Sequence, residues 1–250
     1  MSKVVIITGS SGGIGRALVD AYLSDEYLVL GLDNNLLKEL DLTAFTQIPT
    51  NLLSLAKDQE YRDKVIADLR SHLPSVIDDF VVINNAAEQI LNPVEEVTYD
   101  DWERSLGVNV IAPFFIVQSL IDFITINRGH VVNVTSIHAK QTKKGFSCYA
   151  ASKAALESIT RSLAIELSPL GVSINSVSPA AIATEMLLAG FANDHGKLQQ
   201  LNQYHPAQTI GKPEDLASFI KAVTNQEGGF LTGATLEFDG GNSGRLYDPF

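Results

Sequence analysis

Short apolar runs rich in β-branched residues punctuate the chain at 4–7, 28–30, 80–83, 131–134 and 172–177, each ending in small or polar residues. Between them, apolar residues recur three and four apart, as at Ile14, Ala17, Leu18 and Ala21 and again at Val65, Ile66, Leu69 and Leu73. That is the spacing of one helix face, so strand and helix alternate. The strand runs are continuous rather than alternating, which predicts burial on both faces. With helices between them, they imply an α/β fold: a doubly wound, mostly parallel sheet of the Rossmann type with helices on both faces.

The most apolar window, 106–124, is interrupted by Asn109, Pro113, Gln118 and Asp122. A membrane span needs about 20 mostly apolar residues, so the window predicts a core helix, which Pro113 kinks or which accommodates it locally. No repeat or low-complexity linker divides the chain, and one domain over 1–250 is expected. The least regular stretch, 180–211, turns polar and amide-rich after Met186-Leu187-Leu188, and reads either as a lid over about 184–210 or as an ordinary pair of surface helices.

Charge and cysteine usage narrow the partners. Eighteen basic side chains face 29 acidic ones, a net −11. This excess repels phosphate backbones and anionic lipids, so neither a nucleic acid nor a membrane is expected as a partner. Cys148 is the single cysteine, which excludes a disulfide framework and fits a reducing compartment. Only four strongly apolar residues follow Met1-Ser2-Lys3, too few for a signal peptide, and a cytoplasmic location is expected.

Thr8-Gly9-Ser10-Ser11-Gly12-Gly13-Ile14-Gly15 directly follows the first strand and opens the first helix. Residues without Cβ let the backbone bend tightly and approach a pyrophosphate, whose charge meets free N–H groups at the helix start. The Gly9, Gly13, Gly15 spacing differs from the common G-x-G-x-x-G. Asp33 ends the second strand eighteen residues after Gly15, close to where an acidic residue accepts from a ribose diol. Neither Asn34 and Asn35 nor Ser10, Ser11 and Gly12 offers a cation for a 2′-phosphate, so NAD is favoured and NADP is less expected. Asn84-Asn85-Ala86-Ala87 follows the fourth strand at the ligand-binding edge of such a sheet.

Tyr149 and Lys153 stand four apart on a helical stretch and share a face. For proton transfer at neutral pH a phenol's anion must be favoured by about 3 pKa units, roughly 4 kcal/mol, and a nearby ammonium acts in that direction. Ser136, thirteen residues before Tyr149 and just past a strand, is placed to bond a substrate oxygen. Asn109, in the central helix, is either a buried amide satisfied by backbone or one that holds water linking Lys153 to solvent. No metal site is expected.

In this order the motifs resemble the short-chain dehydrogenases/reductases over nearly the whole chain: T-G-x-x-x-G-I-G at 8–15, Asp33, N-N-A at 84–86, Asn109, Ser136, Y-x-x-x-K at 149–153, Pro179 with Thr184, G-x-P-E-D at 211–215, and Thr232-Gly233 before Asp239-Gly240-Gly241. The resemblance implies hydride transfer between NAD(P) and an alcohol or carbonyl, with Asn109, Ser136, Tyr149 and Lys153 as the catalytic group. It further implies that Gly9, Ser11, Gly13, Ile14, Gly15, Asp33, Asn85, Ala86, Tyr149, Lys153, Pro179, Ile182 and Thr184 bind the cofactor, with Lys153 on the nicotinamide ribose and Thr184 on the carboxamide. Ser136, His138, Tyr149 and Met186 are the expected substrate contacts; His138 shares a face with Ser136 if the strand continues.

Three departures from the family pattern stand out. No Asp occurs in Thr46-Gln47-Ile48-Pro49-Thr50-Asn51, where an adenine contact is usual; Ala87 replaces a Gly, and Pro179-Ala180 replaces Pro-Gly. The family implies a homotetramer, with a dimer next, and the tail 245–250 is a candidate cover for a neighbouring subunit. Lys140, Lys143 and Lys144 form a basic cluster beside the site, either solvated or attractive to an anionic substrate. A non-catalytic nicotinamide-nucleotide sensor of the same fold would need only the glycine turn and Asp33.

Overall fold

The computed structural model describes residues 2–37, 44–189, 191, 195–226 and 229–246, apart from the side chains of Met186 and His195. Along the chain run β1 (Lys3–Thr8), α1 (Gly13–Leu23), β2 (Tyr27–Asp33), β3 (Phe45–Pro49), α2 (Leu52–Lys57), α3 (Gln59–Ser71), β4 (Asp79–Asn84), α4 (Tyr99–Leu106), α5 (Ala112–Ser119), α6 (Ile121–Ile126), β5 (His130–Val134), α7 (Ser147–Leu167), β6 (Ser173–Pro179), α8 (Glu185–Ala189), α9 (His195–Tyr204), α10 (Pro213–Thr224) and β7 (Thr235–Phe238). The seven strands form one parallel sheet in the order β3-β2-β1-β4-β5-β6-β7.

Alternate residues of each central strand feed opposite layers. Val4, Ile6, Phe80, Val82, Val131 and Ile174 pack towards α2, α3, α5, α6 and α7, whereas Val5, Ile7, Val81, Ile83, Val132 and Val177 pack with Leu18 and Tyr22 of α1 and Leu216 and Ile220 of α10. A strand buried on both faces needs apolar residues at consecutive positions. The order reverses between β1 and β4, where the chain leaves β1 for β2 on one side and later returns to β4 on the other. A crevice at the carboxyl ends of the strands follows from that reversal.

The window 106–124 is not one helix. It passes from α4 through a π-helical segment, Gly107–Ile111, into α5, and breaks again at Leu120 (φ −113°, ψ 11°). Pro113 is accommodated as the second residue of α5, directly after the π segment, whose last turn is closed by the Ala112 N–H on the Gly107 carbonyl. The amide-rich stretch folds as α8 and α9 rather than as an irregular loop. Tyr247 to Phe250, the end of the expected subunit-covering tail, lie outside the described residues. Among those described, no helix is long and apolar enough to cross a membrane, and no group of three or more His, Cys, Asp or Glu side chains is placed to hold a metal ion.

Candidate active site

Of the residues singled out above, Gly9 follows β1, Asp33 ends β2, Asn85 follows β4, Ser136 follows β5 and Pro179 ends β6, all at the carboxyl edge of the sheet, while Asn109, Tyr149 and Lys153 come from helical segments. A cavity of about 650 Å³ opens at the opposite edge, where Lys3, Tyr27, Asp79 and His130 begin their strands, and it holds none of the candidates.

At Gly9, Gly13 and Gly15 the turn leaves little room for a side chain. Gly9 adopts φ +68°, and a Cβ there would stand 2.9 Å from the Ala86 Cα; one on Gly15 would stand 1.9 Å from the Gly9 carbonyl oxygen. A Cβ on Gly13 would meet Thr184 at 3.0 Å, so the segment after β6 closes directly on the turn. Asn85 fastens the other side: its side-chain amide donates to the Thr8 and Gly9 carbonyls at 3.0 and 3.2 Å, while the backbone N–H groups of Asn85 and Ala86 both donate to Thr8 Oγ1 at 3.0 Å. Gly12 opens α1 without a side-chain cap, and no acidic residue occupies the first turn, where Gly13, Ile14 and Gly15 lie. The N–H groups and positive dipole end of the helix are therefore left to an anion.

Asp33 faces this turn. Its Oδ2 accepts the Ser11 N–H at 2.9 Å and its Oδ1 the Asn35 N–H at 2.8 Å, which aims the carboxylate and leaves lone pairs for two hydroxyls. Beyond β6, Ile182 is buried and bridges Gly211, Ala183 N–H donates to the Gly211 carbonyl at 2.8 Å, and Thr184 Oγ1 accepts the Leu187 N–H at 3.3 Å.

The candidate reacting residues come from the link after β5 and from α7. Lys153 is 2% exposed; its Nζ donates to the Val134 carbonyl at 2.8 Å and lies 5.7 Å from the centre of the Tyr149 ring. Burial, with no carboxylate to offset it, brings the Lys153 pKa down from 10.5 to about 7. Burial likewise pushes the Tyr149 phenol up, and its hydrogen bond with Ser136 opposes that shift. The lowering by Lys153 expected from the four-residue spacing is not among the influences on the phenol: burial comes first, and only the Ser136 hydrogen bond opposes it.

Asn109 lies in the π segment and is fully buried. Its Oδ1 accepts the Glu88 N–H at 2.8 Å, and its Nδ2 donates to the Glu88 carbonyl and to Ser152 Oγ, both at 2.9 Å. Ser152 in turn donates to the Tyr149 carbonyl at 2.7 Å. The amide is satisfied by protein, and it ties the loop after β4 to the first turn of α7. Glu88 is also paired with Arg104 of α4. Ser152, Glu88 and the Val134 carbonyl are positions that sequence reasoning passed over.

His138 does not continue the strand. Backbone pairing with β6 ends with the Thr135 N–H on the Val177 carbonyl, and Ile137–Ala139 form a 3₁₀ turn in which the His138 N–H donates to Ser136 Oγ at 3.2 Å. Its ring stacks on Phe146 (4.3 Å between centres) and meets Tyr149 edge-on, so it still borders the site. Burial, and then the charge of Lys143, push its pKa from 6.5 to about 4. Of the three clustered lysines, Lys140 is paired with Glu237 and Lys143 lies 4.8 Å over the Phe146 ring. The Met186 side chain lies outside the described residues.

Residues 3–194 match the family model described as short chain dehydrogenase. A NAD-dependent glycerol dehydrogenase of Listeria innocua is 28% identical over 244 residues, spanning 96% of this chain and 93% of its own. Glucose 1-dehydrogenase 2 of Bacillus subtilis is 28% identical over 253 residues, spanning 96% and 94%. Among solved structures, 4-hydroxyisoleucine dehydrogenase complexed with NADH superposes with a TM-score of 0.86 at 26% identity, over 98% of this chain and 100% of that one.

Proposed function

The chain belongs to the short chain dehydrogenase family, and from that premise we propose that it is an NAD(H)-dependent oxidoreductase interconverting a small alcohol and its carbonyl. The observation that carries this reading is the convergence of Ser136, Tyr149 and Lys153 at the sheet edge that also holds the glycine turn and Asp33. The turn fits a dinucleotide because Gly9, Gly13 and Gly15 let it fold tightly against Ala86, Thr184 and itself, beneath an uncapped helix start. Gly9, Ser11, Gly13, Ile14 and Gly15 would hold the pyrophosphate, Asp33 the adenosine ribose, and Asn85, Ala86, Pro179, Ile182 and Thr184 the nicotinamide half. When bound, the nicotinamide supplies or takes up the hydride.

Tyr149, kept protonated by burial, is suited to give its hydroxyl proton to a carbonyl oxygen as that carbonyl is reduced, and to take the proton back in the reverse direction. Ser136 holds the same oxygen. Lys153, anchored to Val134 two residues before Ser136, keeps further N–H donors for the nicotinamide ribose and, with a pKa near 7, can pass a proton at neutral pH. Asn109 keeps Tyr149 in place through Ser152. Glycerol and glucose in the names of the relatives support a polyhydroxylated small-molecule substrate. The exposed Tyr99, Ile111 and Ile165 on α4, the π segment and α7 support self-association into a homotetramer, or failing that a dimer, which light scattering reads directly. The charge balance and lone cysteine support a cytoplasmic setting.

Tyr149→Phe tests the reading. Turnover of NAD with a panel of alcohols and carbonyls is expected to vanish while NADH still binds, as followed by its fluorescence. Binding without turnover in the unsubstituted protein would favour the sensor; loss of binding together with turnover would make Tyr149 structural.

A further inference from the structure

The glycine turn is fastened by a side chain from a strand to which it does not belong. Gln47, in β3, directs its Nε2 at Ser11 Oγ (2.7 Å), Ser10 Oγ (3.1 Å) and the Asn35 carbonyl (3.1 Å), while its Oε1 accepts the Leu37 N–H at 2.8 Å. Ser11 Oγ also donates to the Asn35 carbonyl. The turn after β1 and the loop after β2 are thus closed into one hydrogen-bonded ring, with Gln47 at its centre. Asp33 sits on the rim, held by the Ser11 and Asn35 N–H groups. Gly31 makes the seat possible. It pairs with Gln47 across β2 and β3, and a Cβ on it would stand 2.5 Å from Ser10 Oγ.

We propose that Gln47 is a positioning and specificity-determining residue for the adenosine end of the cofactor, presetting Asp33 and Ser11 for a ribose diol and closing the place a 2′-phosphate would need. The proposal rests on the NAD reading above. Segments made of Gly, Ser and Asn hold little order of their own, so a clasp that orders them beforehand lowers the entropy lost on binding. The clasp is neutral and supplies no cation. A 2′-phosphate would have to displace the Ser11–Asn35 contact while facing the Asp33 carboxylate, whereas two hydroxyls need no displacement.

Dissociation constants for NADH and NADPH by fluorescence titration, with kcat at saturating NAD, test this in Gln47→Met, which keeps length without the amide. NADH affinity is expected to fall about tenfold and NADPH affinity less than about threefold, with kcat within about twofold, since hydrogen bonds of this kind differ in net value by about that factor. Unchanged NADH affinity, or equal weakening for both cofactors, overturns the proposal. Should Gln47→Met unfold, Gln47→Glu keeps the Leu37 contact and lets both serine hydroxyls donate; it is expected to weaken NADPH several-fold more than NADH, and equal effects overturn the proposal. If the unsubstituted protein binds NADPH as tightly as NADH, the cofactor preference itself fails, and this is seen before any variant is made.

Discussion

Replacing Lys153 by methionine is expected to stabilise the protein while abolishing its turnover. The amine is 2% exposed, and burial takes its pKa from 10.5 to about 7. At pH 7, keeping it in the fold therefore costs about 4 kcal/mol relative to the unfolded chain, at about 1.4 kcal/mol per pKa unit. Methionine has nearly the same length and no charge to desolvate. The loss is the hydrogen bond to the Val134 carbonyl, which leaves a buried acceptor unpaired at a cost of about 1–3 kcal/mol. A net gain of roughly 1–3 kcal/mol remains, or about 2–10 °C in Tm for a chain of this size. Between about pH 7 and 10.5 the unfolded lysine binds more protons than the folded one, so the unsubstituted protein gains stability as pH rises through that window. Lys153→Met lacks this rise: its advantage is full at and below about pH 7 and closes towards pH 10. Urea unfolding followed by circular dichroism at about pH 6, 7, 8 and 9, at one protein concentration, reads both the sign and the slope. A variant less stable at pH 7, or a difference that does not change with pH, refutes the reasoning.

Two further outcomes follow from the same geometry. In Gly15→Ala the new Cβ would stand 1.9 Å from the Gly9 carbonyl oxygen, so the turn must open; NADH affinity should fall at least about tenfold and stability by roughly 1–3 kcal/mol, and near-normal affinity in a fluorescence titration would contradict the cradle. His138, with its pKa pushed down to about 4 by burial and then by Lys143, should be neutral above about pH 5, so His138→Gln should leave the apparent pKa values of the rate profile in place. In Lys143→Ala the His138 ring, titrated by NMR, should move back towards 6.5, and no movement would show that Lys143 has no influence on it.

Strands such as 4–7 and 80–83 were legible because cover on both sides favours apolar residues at consecutive positions. The edge strands were not. Phe45–Pro49 reads F-T-Q-I-P, with no continuous apolar run to mark it; Thr235–Phe238 is only partly buried along its length. Both lie at the sheet margins, where the demand for continuous apolar residues lapses. The helix expected at 106–124 failed at Leu120 and in the π segment, since periodicity records which face is apolar and not how the backbone ladder is closed. In the site, the glycine turn, Asp33 and the Tyr149/Lys153 spacing are local patterns and could be read directly. The partners of Asn109 could not, because Glu88 and Ser152 lie 21 and 43 residues away and meet it only after α4, α7 and the loop beyond β4 have packed. Gly31 carried a usable signal: a glycine inside an apolar strand marks a close approach, here that of Ser10.

Ser136, Tyr149, Lys153 and the carbonyl that anchors Lys153 all belong to β5, α7 and the link between them, whereas α8 and α9 emerge only after β6 has ended. Changes confined to 185–210 would therefore leave the proposed reacting groups and their anchor where they are, and the architecture uncouples change in that stretch from change in the chemistry.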